Sequence, residues 1–151
     1  MNPTKASIVR RNCIAWLVLG LAVMGDVSGQ ARGFLRIKIV DGDGAFNDIK
    51  HKIGHPMSVE VLDENNQPLV GVEVTFTAPP FGASGTFSNG NRDMTVKTNM
   101  QGVAQSEPLI PNLTEGRFNI AVAAHQGNRE GSAVISQSNS TAIVAPRGSH
   151  K

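Results

Sequence analysis

Residues 58–78, SVEVLDENNQPLVGVEVTFTA, decide the fold class. Val59 and Val61 fall on one side of an alternating run, with Ser58, Glu60 and Leu62 on the other. Val72, Val74 and Phe76 repeat that pattern against Glu73, Thr75 and Thr77. Successive side chains of a strand point to opposite faces, so period-two alternation of β-branched residues marks a half-buried strand. Between the two runs lie Asp63-Glu64-Asn65-Asn66-Gln67-Pro68 and then Leu69-Val70-Gly71. Asn and Asp tolerate left-handed backbone, and Pro interrupts pairing. The stretch therefore predicts two adjacent antiparallel strands joined by a turn.

The same period extends outward in both directions. Upstream, residues 34–40 alternate Phe34, Arg36 and Lys38 against Leu35, Ile37 and Ile39, which predicts a first strand with two cations on one face. Asp41-Gly42-Asp43-Gly44 and a polar loop to Pro56 follow. Downstream, Pro79-Pro80-Phe81-Gly82-Ala83-Ser84-Gly85 excludes helix and central strand. Thr86-Phe87 suits a short strand, and Met94, Val96 and Thr98 alternate with Thr95 and Lys97. Asn99-Met100-Gln101-Gly102 reads as a tight turn. Residues 103–110 extend again, broken by Pro108 and ended by Pro111. Phe118, Ile120, Val122 and Ala124 line one face of a long strand, Gly127-Asn128 suits a hairpin turn, and Ala133, Ile135 and Gln137 face one way in a last strand.

No stretch after residue 30 sustains a helical period. Seven to eight short strands with turns at close spacing predict an all-β fold, a β-sandwich with Greek-key connections. The expected core is Val59, Val61, Val72, Val74, Phe76, Phe87, Val96, Val103, Phe118, Ile120, Val122 and Ile135.

The N-terminus has a different character. Lys5, Arg10 and Arg11 precede the apolar run IAWLVLGLAVM at residues 14–24, and small residues follow at Val27-Ser28-Gly29. That is the order of a signal peptide, residues 1–29, with cleavage before Gln30. The run is too short to span a bilayer, which takes about 20 residues. Cys13 precedes the run, which argues against a lipoprotein cleavage site. A domain over residues 30–139 and a flexible C-terminal tail over 140–151 complete the expected organisation. Three of the 14 basic side chains and one of the 12 acidic ones precede Gln30, so the remainder holds eleven of each. A balanced charge without a basic cluster argues against nucleic-acid binding. The only Cys and the only Trp, Cys13 and Trp16, also lie in the N-terminal segment. The core is thus expected to hold without disulfides.

Three segments resemble the bacterial Ig-like domains of invasin and intimin. In that family a strand ending in Asp is followed by a turn with Asn or Gly and Pro, then by a val-x-val-x-phe strand. Asp63, Asn66, Pro68, Val72, Val74 and Phe76 stand at those positions. Thr98-Asn99-Met100-Gln101-Gly102-Val103-Ala104 is similar to the family's thr-asp-x-x-gly-x-ala turn, with Asn99 where Asp is frequent. Glu115-Gly116-Arg117-Phe118-Asn119-Ile120-Ala121-Val122 is similar to its gly-x-tyr/phe-x-val-x-ala strand. The resemblance covers residues 41–139. It implies an exported sandwich module of surface adhesins, with a structural or protein-interaction role. The chain carries one copy, and no outer-membrane barrel or lectin-like domain, so an adhesin's tip activity does not transfer.

Candidate sites are few. Asp41, Asp43 and Asp48 invite a calcium reading, but Phe46 and Lys52 stand where an EF-hand loop has Gly and Glu. A strand-to-loop turn is the more ordinary reading. His51 and His55 have the i, i+4 spacing of zinc ligands on a helix, which Gly54 and Pro56 oppose. His125 and His150 have no partner in sequence. Gly82-Ala83-Ser84-Gly85 is loop composition rather than a nucleophile elbow. Asn112-Leu113-Thr114 and Asn139-Ser140-Thr141 match glycosylation acceptors. Phe81 is the candidate binding residue, a loop aromatic able to anchor a partner or to fold back over the sandwich.

The expectation is a non-catalytic module with no cofactor and no metal. It is exported to the periplasm, the cell surface or the medium, where it meets a protein partner and, after signal cleavage, no membrane. The alternatives are a carbohydrate-binding sandwich, or a transthyretin-like or carboxypeptidase-regulatory-like one. Sugar sites usually stack on exposed Trp or Tyr, and the chain after residue 30 has neither.

Overall fold

The computed structural model describes residues 32–142. The expected signal peptide and the tail from residue 143 lie outside the described residues. The fold is all-β, in three sheets. The strands are β1 (Gly33–Phe34), β2 (Arg36–Asp41), β3 (Ala45–Asp48), β4 (Ser58–Leu62), β5 (Glu73–Thr77), β6 (Gly85–Thr86), β7 (Asp93–Lys97), β8 (Val103–Gln105), β9 (Ile110–Pro111), β10 (Gly116–Gln126) and β11 (Arg129–Ser140). The six-stranded sheet runs β1-β11-β10-β5-β7, with β3 also against β11. A three-stranded sheet runs β2-β4-β8, and β6 and β9 form a two-stranded ladder. One apolar cluster joins the two larger sheets, with Val59 and Val61 on β4, Ala104 on β8, and Val74, Phe76, Ile120, Val122 and Ile135 on the larger sheet. An apolar cluster between two sheets is consistent with a β-sandwich.

Alternation carries most of this burial. Ten of the twelve expected core residues are buried, each contributing about 1.5–3 kcal/mol against the ordering entropy of the chain. Val96 packs half-buried against the cluster. Val103 is half-buried, and Ala104 takes the inward position, paired with Val59.

The expected hairpin of residues 58–78 is overturned. β4 pairs with β2 and β8, whereas β5 pairs with β10 and β7, so the two strands belong to different sheets. Identical inward patterns serve strands lying side by side or facing across a core, and alternation alone does not separate the two. The connection does. Leu62 bridges Pro68 and Leu69 N donates to Val61 O (3.0 Å), so the chain first folds back beside β4. Gly71 N then donates to Thr98 O (2.9 Å), and Thr98 N to Val72 O (2.9 Å), which hands the chain to the other sheet beside β7.

Two further expectations are corrected. The first strand is split at Leu35, whose side chain is buried, so that β1 joins the larger sheet and β2 the smaller one. The loop expected up to Pro56 contains β3, paired in parallel with β11 from Gln137 to Ser140. Its sequence, AFND, puts a polar Asn at the buried position and Phe46 outside, so no apolar alternation announced it. β11 itself runs from Arg129 through Ser140.

Three turns share one five-residue design. At Asp63, Phe87 and Asn99 the first residue's N–H donates to the carbonyl four residues on, and the fourth residue's N–H returns to the first carbonyl. The fourth residue has positive φ each time, at Asn66 (61°), Gly90 (79°) and Gly102 (75°). Asp63 Oδ1 accepts from Asn65 N and Gln67 N, and Asn99 Oδ1 accepts from Gln101 N and Val103 N. Asn99 thus gives its turn the same side-chain acceptor that an Asp supplies.

Candidate functional site

After β5 the chain leaves the larger sheet at Ala78, whose N–H donates to Arg92 O (2.8 Å). Pro79 and Pro80 have no N–H to offer a neighbouring strand, so the next residues form a loop. The loop is closed from within by Ser84 Oγ, which donates to Pro79 O (2.6 Å). Asn112 then clasps it from the side. Asn112 Nδ2 donates to Gly82 O (2.8 Å), Asn112 N donates to Ser84 O (2.8 Å), and Asn112 Oδ1 accepts from Ser84 N (3.2 Å). Ala83, Ser84 and Gly85 are buried as a result. Phe81 is not drawn in, and remains 87% exposed.

Beneath this loop lies a cluster of buried amides. Asn139 Nδ2 donates to Ser84 O (2.8 Å), Asn112 Oδ1 (3.1 Å) and Thr114 O (3.3 Å). Asn47 Nδ2 donates to Gln137 Oε1 (3.1 Å) and Asn139 Oδ1 (3.2 Å), and Asn47 Oδ1 accepts from His55 N (2.9 Å). Gln137 Nε2 reaches Gly42 O (3.2 Å) and His55 O (3.4 Å). Every buried side-chain N and O among the described residues has a partner. A fully paired polar network fixes one arrangement of the loops around it, because any other would leave amides unpaired away from water.

Beside the loop, Leu113 is 83% exposed. It lines a shallow, mostly apolar cleft of about 270 Å³ with Lys52, Thr86, Arg92, Ile110 and Pro111. Two cations and no carboxylate line this cleft. Ile53, next to Lys52, is 62% exposed. The neighbouring loop is seated by Gly54, where a Cβ would fall 1.5 Å from Leu109 O. Exposed apolar side chains thus stand on a braced base beside two cations.

The structure separates the other candidates. Asp41 lies 3.6 Å from His55 Nε2, Asp43 Oδ1 accepts from Ser136 N (2.9 Å), and Asp48 lies 2.6 Å from His51 Nδ1. No group of three or more metal-ligating side chains gathers among the described residues. The His51 hydrogen bond holds the Asp48 carboxyl below its usual range. Hydrogen bonds from Thr141 do the same for Glu115. His125 is exposed on the outer face of β10, and His150 lies outside the described residues. Ser84 Oγ is committed to a carbonyl rather than to an imidazole. Asn139 is 3% exposed and its amide nitrogen is engaged three times, so this glycosylation triplet is closed in the folded chain.

Sequence reasoning missed the amide cluster. Its signal was present, since Gln137 and Asn139 continue the inward parity of Ala133 and Ile135, and a polar residue at a buried parity calls for a partner. Comparison with protein-family models and with curated proteins gives no match to the chain. Among the described residues no helix is long and apolar enough to cross a membrane.

Proposed function

We propose that the chain is an exported Ig-like module of the invasin/intimin type that works without catalysis, by holding a protein partner in the periplasm or at the cell surface. Strand order supports the Ig-like reading. The chain passes from β4 across to β5 and β7, returns to β8 beside β4, and crosses again to β10 beside β5. Such alternation between two sheets supports reading the connections as a Greek key. The basic, apolar and small-residue segments of residues 1–29 support export.

The observation that carries the interaction reading is Phe81, 87% exposed on a loop pinned by Asn112, Ser84 and Asn139. An aromatic on a loop whose backbone is already pinned costs less ordering on binding, and aromatics dominate interfaces. The cleft lined by Leu113, Lys52 and Arg92 adds a preference for an apolar side chain flanked by carboxylates. A photo-crosslinking residue placed at position 81, in cells of the native host, tests this. The expected result is one discrete adduct from position 81 and none from position 121, on the outer face of β10. Labelling at 121 equal to that at 81, or no adduct at 81, refutes the assignment. Phe81→Ser is expected to weaken capture of that adduct's partner by roughly thirtyfold or more, the scale of an interface hot spot.

A further inference from the structure

Among the described residues β7 pairs on one side only, with β5. Thr98 N donates to Val72 O (2.9 Å) and Ala78 N to Arg92 O (2.8 Å), so the positions bonded to β5 run Arg92, Met94, Val96, Thr98. In an antiparallel ladder a residue's N–H and C=O point the same way, and successive residues point opposite ways. The backbone groups of Asp93, Thr95 and Lys97 therefore face away from β5. Side chains alternate as well. Asp93, Thr95 and Lys97 are exposed, while Met94 and Val96 are half-buried against the core.

Exposed edges are commonly blunted by Pro, a bulge or an inward charge. β7, DMTVK, has no Pro and no inward charge, and its register with β5 is unbroken from Asp93 to Lys97. It is also self-complementary. We propose that β7 is a dimerisation edge, on which the β7 of a second copy pairs antiparallel about a two-fold axis at Thr95.

In that register Thr95 faces Thr95, and Asp93 of each copy faces Lys97 of the other. All the outward N–H and C=O groups of Asp93, Thr95 and Lys97 then find partners. Met94 of each copy meets Val96 of the other on the core side, which covers two half-buried apolar side chains. Lys97, already 3.9 Å from Glu73, gains a second carboxylate. A slip of two residues breaks both ion pairs, and a slip of one reverses the faces. Charge complementarity thus selects a second copy and a single register, in a closed isologous dimer. The strands run antiparallel, and Asp93 pairs with Thr77 just before the Phe81 loop, so the two Phe81 surfaces stand at opposite ends of the joined sheet. The dimer does not depend on what Phe81 binds.

Sedimentation velocity of the purified protein over a concentration series, to roughly millimolar where weak interfaces register, tests the proposal. The wild type is expected to show a monomer–dimer equilibrium. Asp93→Lys alone and Lys97→Asp alone each set like charges opposite one another twice, and each is expected to raise the dissociation constant at least about tenfold. An equimolar mixture of these two variants restores opposite charges at both positions and is expected to dimerise, as is the double variant D93K/K97D. Thr95→Pro removes the central outward N–H and the exposed hydroxyl contact with Thr75 (2.8 Å) but no backbone bond to β5, so the dimer is expected to disappear while the β-type circular dichroism persists. A wild type that stays monomeric overturns the proposal. So does a dimer indifferent to the single charge reversals, or a mixture of the two variants that fails to associate. The charge-reversal mixture decides the matter even if Thr95→Pro fails to fold.

Discussion

Asn139→Ala probes the link between the interior and the displayed loop. The substitution deletes an amide that is 3% exposed, and with it four hydrogen bonds, three donated and one accepted. If every partner were orphaned in the interior, the loss would exceed about 4 kcal/mol at 1–3 kcal/mol for each group. Most partners keep a second bond. Ser84 O retains Asn112 N, Asn112 Oδ1 retains Ser84 N and Thr114 N, and Asn47 Nδ2 retains Gln137 Oε1. Thr114 is exposed, so water replaces the amide at its carbonyl. The expected loss is therefore about 2–3 kcal/mol, or roughly a 10 °C fall in Tm for a domain of this size. Urea unfolding followed by circular dichroism measures the total, and hydrogen exchange locates it. The Ser84 and Asn112 amides should lose protection while those of β10 fall only with global stability. A loss below about 0.5 kcal/mol, or protection falling uniformly, would refute the reasoning that this amide braces the loop.

Other consequences concern the core, the neighbouring loop and pH. Phe76→Ala empties a fully buried site and is expected to cost about 3–5 kcal/mol in denaturant unfolding; a cost below 1 kcal/mol would contradict its placement. Gly54→Ala drives a Cβ into Leu109 O and is expected to cost about 1–3 kcal/mol or more, with chemical-shift changes spreading to Leu109; an unshifted Leu109 would count against the contact. Asp48 titrates below its ordinary value of 3.8 because His51 hydrogen-bonds its ionised form. A depressed carboxylate contributes stability above its unfolded pKa and loses it as pH falls through the folded value. His51→Ala should accordingly raise the Asp48 midpoint in a carboxyl NMR titration, and an unmoved midpoint would rule out that hydrogen bond.

The legibility of the chain follows from which residues speak for themselves. Val59, Val61, Val74, Phe76, Ile120, Val122 and Ile135 announce their faces through alternation, because an apolar side chain at every second position has only one buried side. Gly127-Asn128 announces the β10–β11 hairpin, with Gly127 at a φ of 61° where the chain must turn back. What alternation does not encode is which strand lies beside which. β4 and β5 present the same pattern whether they are neighbours or face each other, and only the bonds of Leu69, Gly71 and Thr98 decide. β3 was hidden because its inward residue, Asn47, is held by amides from β11 rather than by the apolar cluster. Its Pro- and Gly-rich surroundings placed Phe81 on a loop, but left open whether it folds back over the sandwich or stands out, as it does. The clasp that braces it was not legible, since Asn112 and Asn139 lie 30 and more residues away in sequence and meet it only in the fold.

The central claim is that strands of like pattern, β4 and β5, face each other across the core from different sheets. Cross-strand nuclear Overhauser effects between backbone protons test it most directly. The account predicts contacts from Phe76 to Val122 and from Val59 to Ala104, with none joining the backbones of β4 and β5. A ladder of contacts pairing residues 58–62 with residues 73–77 would contradict it.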